Sequence, residues 1–295
     1  MIYRDPFKNR VIFALIISSI IILSSLVSVL FMLDPEYQGK VFLGMENFRY
    51  FTTLSNFLLA IVVILTVPFQ VEGIRKHDYH LPRWIVNLLF FCVGNIAIVF
   101  VAALFLMGPS IGYDKVMFGK FNFWQHLVSP VLAMILFFLI DKDHSIKFKT
   151  TIFCIIPNII YVFLYFVFVE LLKDTPYAWP DVYHVKKFGH LEVLMGVVVI
   201  FQFGITNFVR VIHNIQHKRY NKALEEYYRS SEDFKDKSIE EIVKILAVNA
   251  KKRYVIGDIE IPVHILRYYT DMNGNKMSID ELCVLYTKYY FDETT

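Results

Sequence analysis

Groups capable of nucleophilic chemistry stand in this sequence where their neighbours are apolar. Phe51-Thr52-Thr53-Leu54-Ser55-Asn56 opens one apolar run, and His126-Leu127-Val128-Ser129-Pro130 lies near the start of another. Glu170 closes a third run, and His190 and Glu192 open a fourth. A hydroxyl becomes a nucleophile when a nearby base takes its proton, and neutral imidazole is the common base. Thr53 or Thr52 with His126 would supply that couple. Asn56 would orient the ring or donate to an oxyanion, and Glu170 or Glu192 would hold the second ring nitrogen. Ser129 and His190 would complete a binding pocket. The same residue types also serve plainer ends. Ser, Thr and Asn hydrogen-bond between membrane helices, and His or Glu near a helix end reaches the headgroups. Residue types alone leave both readings open, with packing the commoner use.

The elements that position these groups follow from composition. The chain has 295 residues, 56% of them hydrophobic and only 19% charged, with 28 Phe and 18 Tyr. That excludes a disordered chain and argues against a simple soluble enzyme. A net charge of +3 is too small to imply a nucleic-acid partner. The apolar residues form long unbroken runs, which read as helical bilayer spans rather than alternating barrel strands. Six spans fit: Val11–Leu33, Phe51–Gln70, Trp84–Met107, Phe123–Ile140, Thr151–Leu172 and Gly189–Ile212. Each is close to the ~20 residues a helix needs to cross the hydrocarbon. The first follows Arg4, Lys8 and Arg10 as a signal peptide would, but it is too long for one and no small-x-small cleavage site follows.

Lys and Arg beside the spans set the orientation. Arg4, Lys8, Arg10, Arg75, Lys76, Arg83, Lys142, Lys147, Lys149, Arg210, Lys218, Arg219 and Lys222 fall on one side. They outnumber Lys40, Arg49, Lys115, Lys120, Lys173, Lys186 and Lys187 on the other. The richer side is therefore cytoplasmic, both termini lie inside, and the expected location is the plasma membrane. With that topology the hydroxyls of span two and His126 of span four share one depth, roughly 5 Å below the outer boundary at ~1.5 Å per residue. Asn56 is on the same helix face as Thr52 and Thr53. Lipid ester carbonyls lie near that depth.

The two motifs resemble a known family. F-T-x-x-S-N at Phe51–Asn56 and H-x-x-x-P at His126–Pro130 are similar to stretches in the six-helix androgen-induced and androgen-dependent membrane proteins and their bacterial relatives. Tyr177-Ala178-Trp179-Pro180 is similar to an aromatic stretch before that family's last span. The resemblance covers residues 1–213. It implies threonine-dependent hydrolysis of fatty-acid esters, with His126 as base. Counting back from Asn56 makes Thr53 the nucleophile, whereas matching the F-T pair makes it Thr52. Asn56 stands where an animal member has Asp.

Other patterns carry less. His213 and His217, at helical i,i+4 spacing, could chelate a divalent cation or form a pH-sensitive contact with the tail, but no acid occupies a third ligand position. His77 and His80 lie in the first cytoplasmic loop. Cys92, Cys154 and Cys283 show no ligand or disulfide spacing. No metal or cofactor is expected. Asp271-Met272-Asn273-Gly274-Asn275 begins like a calcium loop, yet Lys276 takes the position of the turn Gly and Leu282 that of the last Glu, so a tight turn is expected. Asn95, Asn158 and Asn207 could line a pathway, but no internal repeat supports a transporter. Pro130 and Pro157 more simply kink their helices.

From His213 the composition becomes polar. Ser238-Ile239-Glu240-Glu241 and Ser278-Ile279-Asp280-Glu281 have the capping-box form, and Tyr254–Val263 is strand-like but holds Pro262. The sequence therefore reads as an all-α polytopic membrane protein. Residues 1–213 form a six-helix transmembrane domain, and residues 214–295 a small, mainly helical cytoplasmic tail. The first functional reading is a Thr/His hydrolase of lipid esters. The second is a non-catalytic scaffold or sensor whose tail binds a cytoplasmic protein, and the third is a transporter.

Overall fold

The computed structural model describes residues 8–33, 50–76, 81–119, 122–140, 144–170, 191–230, 236–251, 266, 271 and 273–292. Among them every regular element is helical. The long apolar helices are α1 (Lys8–Leu33), α2 (Phe51–Lys76) and α3 (Arg83–Ala102). α3 continues as a π-helical turn, Ala103–Met107, into two short helices, α4 (Gly108–Ile111) and α5 (Tyr113–Val116). A second π-helical stretch, Phe123–Val128, leads into α6 (Ser129–Ile140), followed by α7 (Phe148–Glu170) and α8 (Leu191–Ser230). Five of these runs are long and apolar enough to cross a membrane: Asn9–Ser28, Phe51–Arg75, Arg83–Met107, Phe123–Ile140 and Gly196–Tyr220. α7 is helical over 23 residues, with a shorter apolar stretch, Phe148–Leu164. The chain is a helical membrane-embedded protein.

α3 is the central helix. It packs against α2, α6, α7 and α8, while α1 lies across α2 and α6. Its sequence explains the position, because it is apolar on every side and carries the small residues Cys92, Gly94 and Ala97 where other helices approach. Of its apolar stretch 61% is buried, more than in any of the other four runs. Their large outward residues, such as Phe13, Ile64, Phe153 and Phe208, form the apolar surface that lipid would cover. At Gly94 a Cβ would lie 2.9 Å from Thr206 Oγ1 of α8, so only glycine permits that close approach.

The end of the bundle holding Arg10, Leu81 and His144 is closed by side chains on backbone. His144 Nε2 donates to the Leu81 carbonyl at 3.0 Å, and His213 Nε2 donates to the His144 carbonyl at 3.0 Å while its ring stacks on Phe137. Asn214 brackets Ile146, accepting from its N–H at 2.9 Å and donating to its carbonyl at 3.0 Å. His213 thus ties α8 to the segment before α7, and among the described residues no three metal-ligating side chains come together. His77 and His80 lie outside the described residues.

The chain crosses residue 213 as one continuous helix, α8. Two further helices, α9 (Ile239–Lys251) and α10 (Ile279–Phe291), pack on each other around Ile242, Val243, Leu282 and Tyr286. Tyr220 of α8 belongs to the same apolar cluster, and the Arg10 guanidinium lies 4.9 Å from its ring centroid. The start of α1 and the C-terminal helices therefore lie at one end of the bundle. Both capping boxes close, with Ser238 paired to Glu241 and Ser278 to Glu281. The Asp271–Asn275 stretch is a tight turn whose carboxylate accepts the Asn273 and Asn275 N–H groups, with Gly274 at φ +79°. Tyr254–Val263 lies outside the described residues.

Candidate functional site

α2 begins at Phe51, so Thr52 and Thr53 occupy its first turn. Leu54 N–H already reaches the Tyr50 carbonyl at 3.1 Å, whereas the first N–H groups of a helix have no partner within it. Thr53, Ser55 and Asn56 are buried, and Thr52 is half-buried. Asn56 sits one turn on from Thr52. Its Nδ2 donates to the Thr52 carbonyl at 2.9 Å and to the Gln125 carbonyl at 3.3 Å. The second bond joins α2 to the π-helical stretch that carries His126.

That stretch stands directly before Pro130. Proline has no N–H to offer the carbonyl four residues earlier, here that of His126, and the backbone widens to π geometry just upstream. The wider turn aims His126 at α5. His126 Nδ1 lies 2.7 Å from the Val116 carbonyl. A carbonyl only accepts, so Nδ1 carries the proton and, in the neutral ring, Nε2 presents a lone pair. Val116, Met117 and Ala103 form a small apolar cluster here, flanked by Leu104, Met107 and Leu127.

The α4–α5 segment that supplies Val116 is itself held in place. Gly112 adopts φ +102°, which a residue with a Cβ rarely takes, and this lets the chain double back. Tyr113 Oη then donates to the Leu104 carbonyl at 3.0 Å, and Asn122 Nδ2 to the Lys115 carbonyl at 3.0 Å. On the other side of α6, Ser129 Oγ is 3.2 Å from Ser24 Oγ of α1. Ser28 donates to the Ser24 carbonyl at 2.8 Å. Interhelical bonds of this kind contribute about 1 kcal/mol each.

The hydroxyls divide into two kinds. Ser19, Ser24, Ser28 and Thr66 each bond back to a carbonyl of their own helix. Thr53, although buried, has no hydrogen-bond partner for its hydroxyl among the described residues. Asn56 is bonded through its amide nitrogen. Both its amide hydrogens are spent on carbonyls, and flipping the amide would set Oδ1 against those same oxygens. Its remaining function is Oδ1, a buried acceptor with no partner among the described residues. The Nδ2 group is thus engaged by the Thr52 and Gln125 carbonyls.

Through the Asn56–Gln125 bond the first turns of α2 lie against the π-helical stretch that carries His126, whereas Ser129 turns to Ser24 of α1. The His126 ring nitrogen that Glu170 or Glu192 was expected to hold is bonded instead to a backbone carbonyl. The side chains of Glu170 and Glu192, and His190 entirely, lie outside the described residues. Ser24, Gln125 and Val116 were not foreseen. Ser24 falls on the buried face of α1 and was detectable by its spacing, whereas Gln125 and Val116 act through backbone carbonyls, which no side-chain pattern reveals. Comparison with protein-family models, with curated proteins and with solved structures finds no match to this chain.

Proposed function

We propose that this protein is a membrane-embedded hydrolase of lipid esters that uses Thr53 and His126. The observation that carries the reading is the fixed His126 tautomer, with Nδ1–H on the Val116 carbonyl and Nε2 left as base. Nε2 would take the Thr53 hydroxyl proton as Oγ1 attacks the ester carbonyl. The proton would pass to the departing alcohol, and water activated by the same nitrogen would cleave the acyl-threonine. With Asn56 committed, the oxyanion falls to the N–H groups of Thr52 and Thr53 at the start of α2, where the helix dipole also favours negative charge. The apolar cluster at Val116, Met117 and Ala103 suits an acyl chain. The excess of Lys and Arg beside the spans supports an orientation with this layer at the outer face and both termini in the cytoplasm. The Arg10–Tyr220 contact supports a common side for α1's start and the C-terminal helices.

The test is turnover of a fluorogenic acylglycerol ester by the protein reconstituted in vesicles. His126→Ala should lower kcat by about 10³-fold or more while the thermal transition is kept. Undiminished turnover by the folded variant would remove the mechanism.

A second reading is favoured by the C-terminal helices. Ser238, Asp271, Met277, Glu281 and Val284 line an open groove of about 720 Å³, and Val284 and Phe291 are 72% and 66% exposed. A scaffold or sensor would engage a cytoplasmic protein there. It predicts that removing residues 231–295 abolishes function while Thr53→Ala and His126→Ala do not.

A further inference from the structure

A second polar layer lies deep in the bundle, where α3, α7 and α8 meet. Asn95 is about 18 Å along α3 from Arg83, which is mid-depth for a helix of this length. Gln202 of α8 donates through Nε2 to Asn95 Oδ1 at 3.0 Å and to the Cys154 carbonyl of α7 at 3.3 Å. Asn95 Nδ2 in turn donates to the Phe91 carbonyl at 2.7 Å, which fixes both amide orientations. Thr206, one turn beyond Gln202, is pressed against Gly94. Thr151, Cys154 and Asn158 fall on one face of α7.

After these bonds are made, four polar atoms still lack a hydrogen-bond partner among the described residues. They are Gln202 Oε1, Thr206 Oγ1, Thr151 Oγ1 and Asn158 Nδ2, on residues no more than 3% exposed. Polar groups buried at this depth need partners, because lipid supplies none. These side chains are all neutral and include orphaned acceptors and an orphaned amide donor. With no carboxylate among them, they offer a bare cation no counter-charge. Water both donates and accepts. Pro157 adds a further demand at the same level of α7, since it cannot donate to the Phe153 carbonyl.

We propose that the α3–α7–α8 junction is a hydrated site in the bilayer interior, where bound water links Gln202, Thr206, Thr151 and Asn158. The site joins the proline-broken part of α7 to the central helix. Water there satisfies the buried polar side chains and holds three helices in register. Asn207, which could have extended such a layer, is instead paired with Arg210.

Radiolytic hydroxyl-radical footprinting of the full chain in vesicles tests this. Bound water generates radicals in place, so Cys154, fully buried in the junction, should be oxidised in the folded wild type. The Thr151→Val/Thr206→Val double variant should lose that labelling and melt at lower temperature. Protection of Cys154 in folded wild type would overturn the proposal. So would a higher melting temperature in the double variant, because a dry junction gains when orphaned hydroxyls become methyls. Wild-type labelling decides the matter if the variant fails to fold.

Discussion

At the scale of single residues, the outer layer is governed by what each polar atom has left to give. Among the described residues, His126 has one nitrogen bonded and one not, and Asn56 has both amide hydrogens bonded and its oxygen without a partner. Asn56→Asp keeps the shape but sets a second oxygen against the Thr52 and Gln125 carbonyls. It should destabilise the protein by about 1–3 kcal/mol, read as a lowered thermal midpoint in detergent, and Asn56→Leu should cost less than a like-charged contact would. An unchanged midpoint for Asn56→Asp would mean that the two bonds are not maintained. The identities of these residues were legible in the sequence, because polar groups in apolar runs stand out. Their bonding was not, because the partners of His126 and Asn56 are carbonyls of Val116 and Gln125. A backbone oxygen has no signature in the residue that bears it.

At the scale of elements, small departures from regular helix carry the layout. Pro130 accompanies the π stretch that presents His126, and Gly112 allows the reversal that presents Val116. The proline was visible as a kink, but the widened turn upstream depends on packing against α5 and could not be read from spacing. Gly94→Ala should cost about 1–3 kcal/mol, because its Cβ would crowd Thr206 where α3 and α8 meet. A thermal melt unaltered by the alanine would show that α3 and α8 do not approach so closely. The C-terminal caps were fully legible, since S-x-x-E is a local pattern that needs no tertiary context. Ser278→Ala should lower the stability of α10 by about 1 kcal/mol, measurable as faster amide exchange across Ile279–Phe291. These caps also set a pH response. The Ser278 hydroxyl and N–H hold Glu281 below its ordinary 4.5, the Ser238 N–H and hydroxyl do the same for Glu241, and the Asn275 N–H holds Asp271 below 3.8. A carboxyl depressed in the folded state gives its full stabilisation above its ordinary pKa and loses it as pH falls through the folded value. Amide exchange in α9 and α10 should therefore be flat between about pH 6 and 8, after correction for the intrinsic rate, and rise below about pH 4.

At the scale of the whole molecule, the bundle has two polar ends and an apolar girdle, with α3 as its axis. The girdle was legible because long apolar runs have one dominant use. The docking of the C-terminal helices was not, since it turns on Tyr220, inside a helix that gives no sign of where the bundle ends. Cys92 and Cys154 are buried whereas Cys283 on α10 is half-exposed, so the native protein carries its own reporter of sidedness. If the termini are cytoplasmic, as proposed, a membrane-impermeant maleimide should label Cys283 only after cells are permeabilised. Labelling in intact cells would reverse the orientation and place the Thr53–His126 layer at the inner face.

The activated hydroxyl is tested most directly by mapping a fluorophosphonate adduct on the purified wild-type protein by mass spectrometry. The reaction displaces fluoride and leaves phosphorus on the attacking oxygen. The adduct should lie on Thr53 and should vanish in His126→Ala. An adduct on Thr52 would move the nucleophile by one residue and keep His126 as its base. A folded wild-type protein that acquires no adduct, or a His126→Ala variant labelled as fast as wild type, would contradict the hydrolase and leave the groove between α9 and α10 as the functional surface.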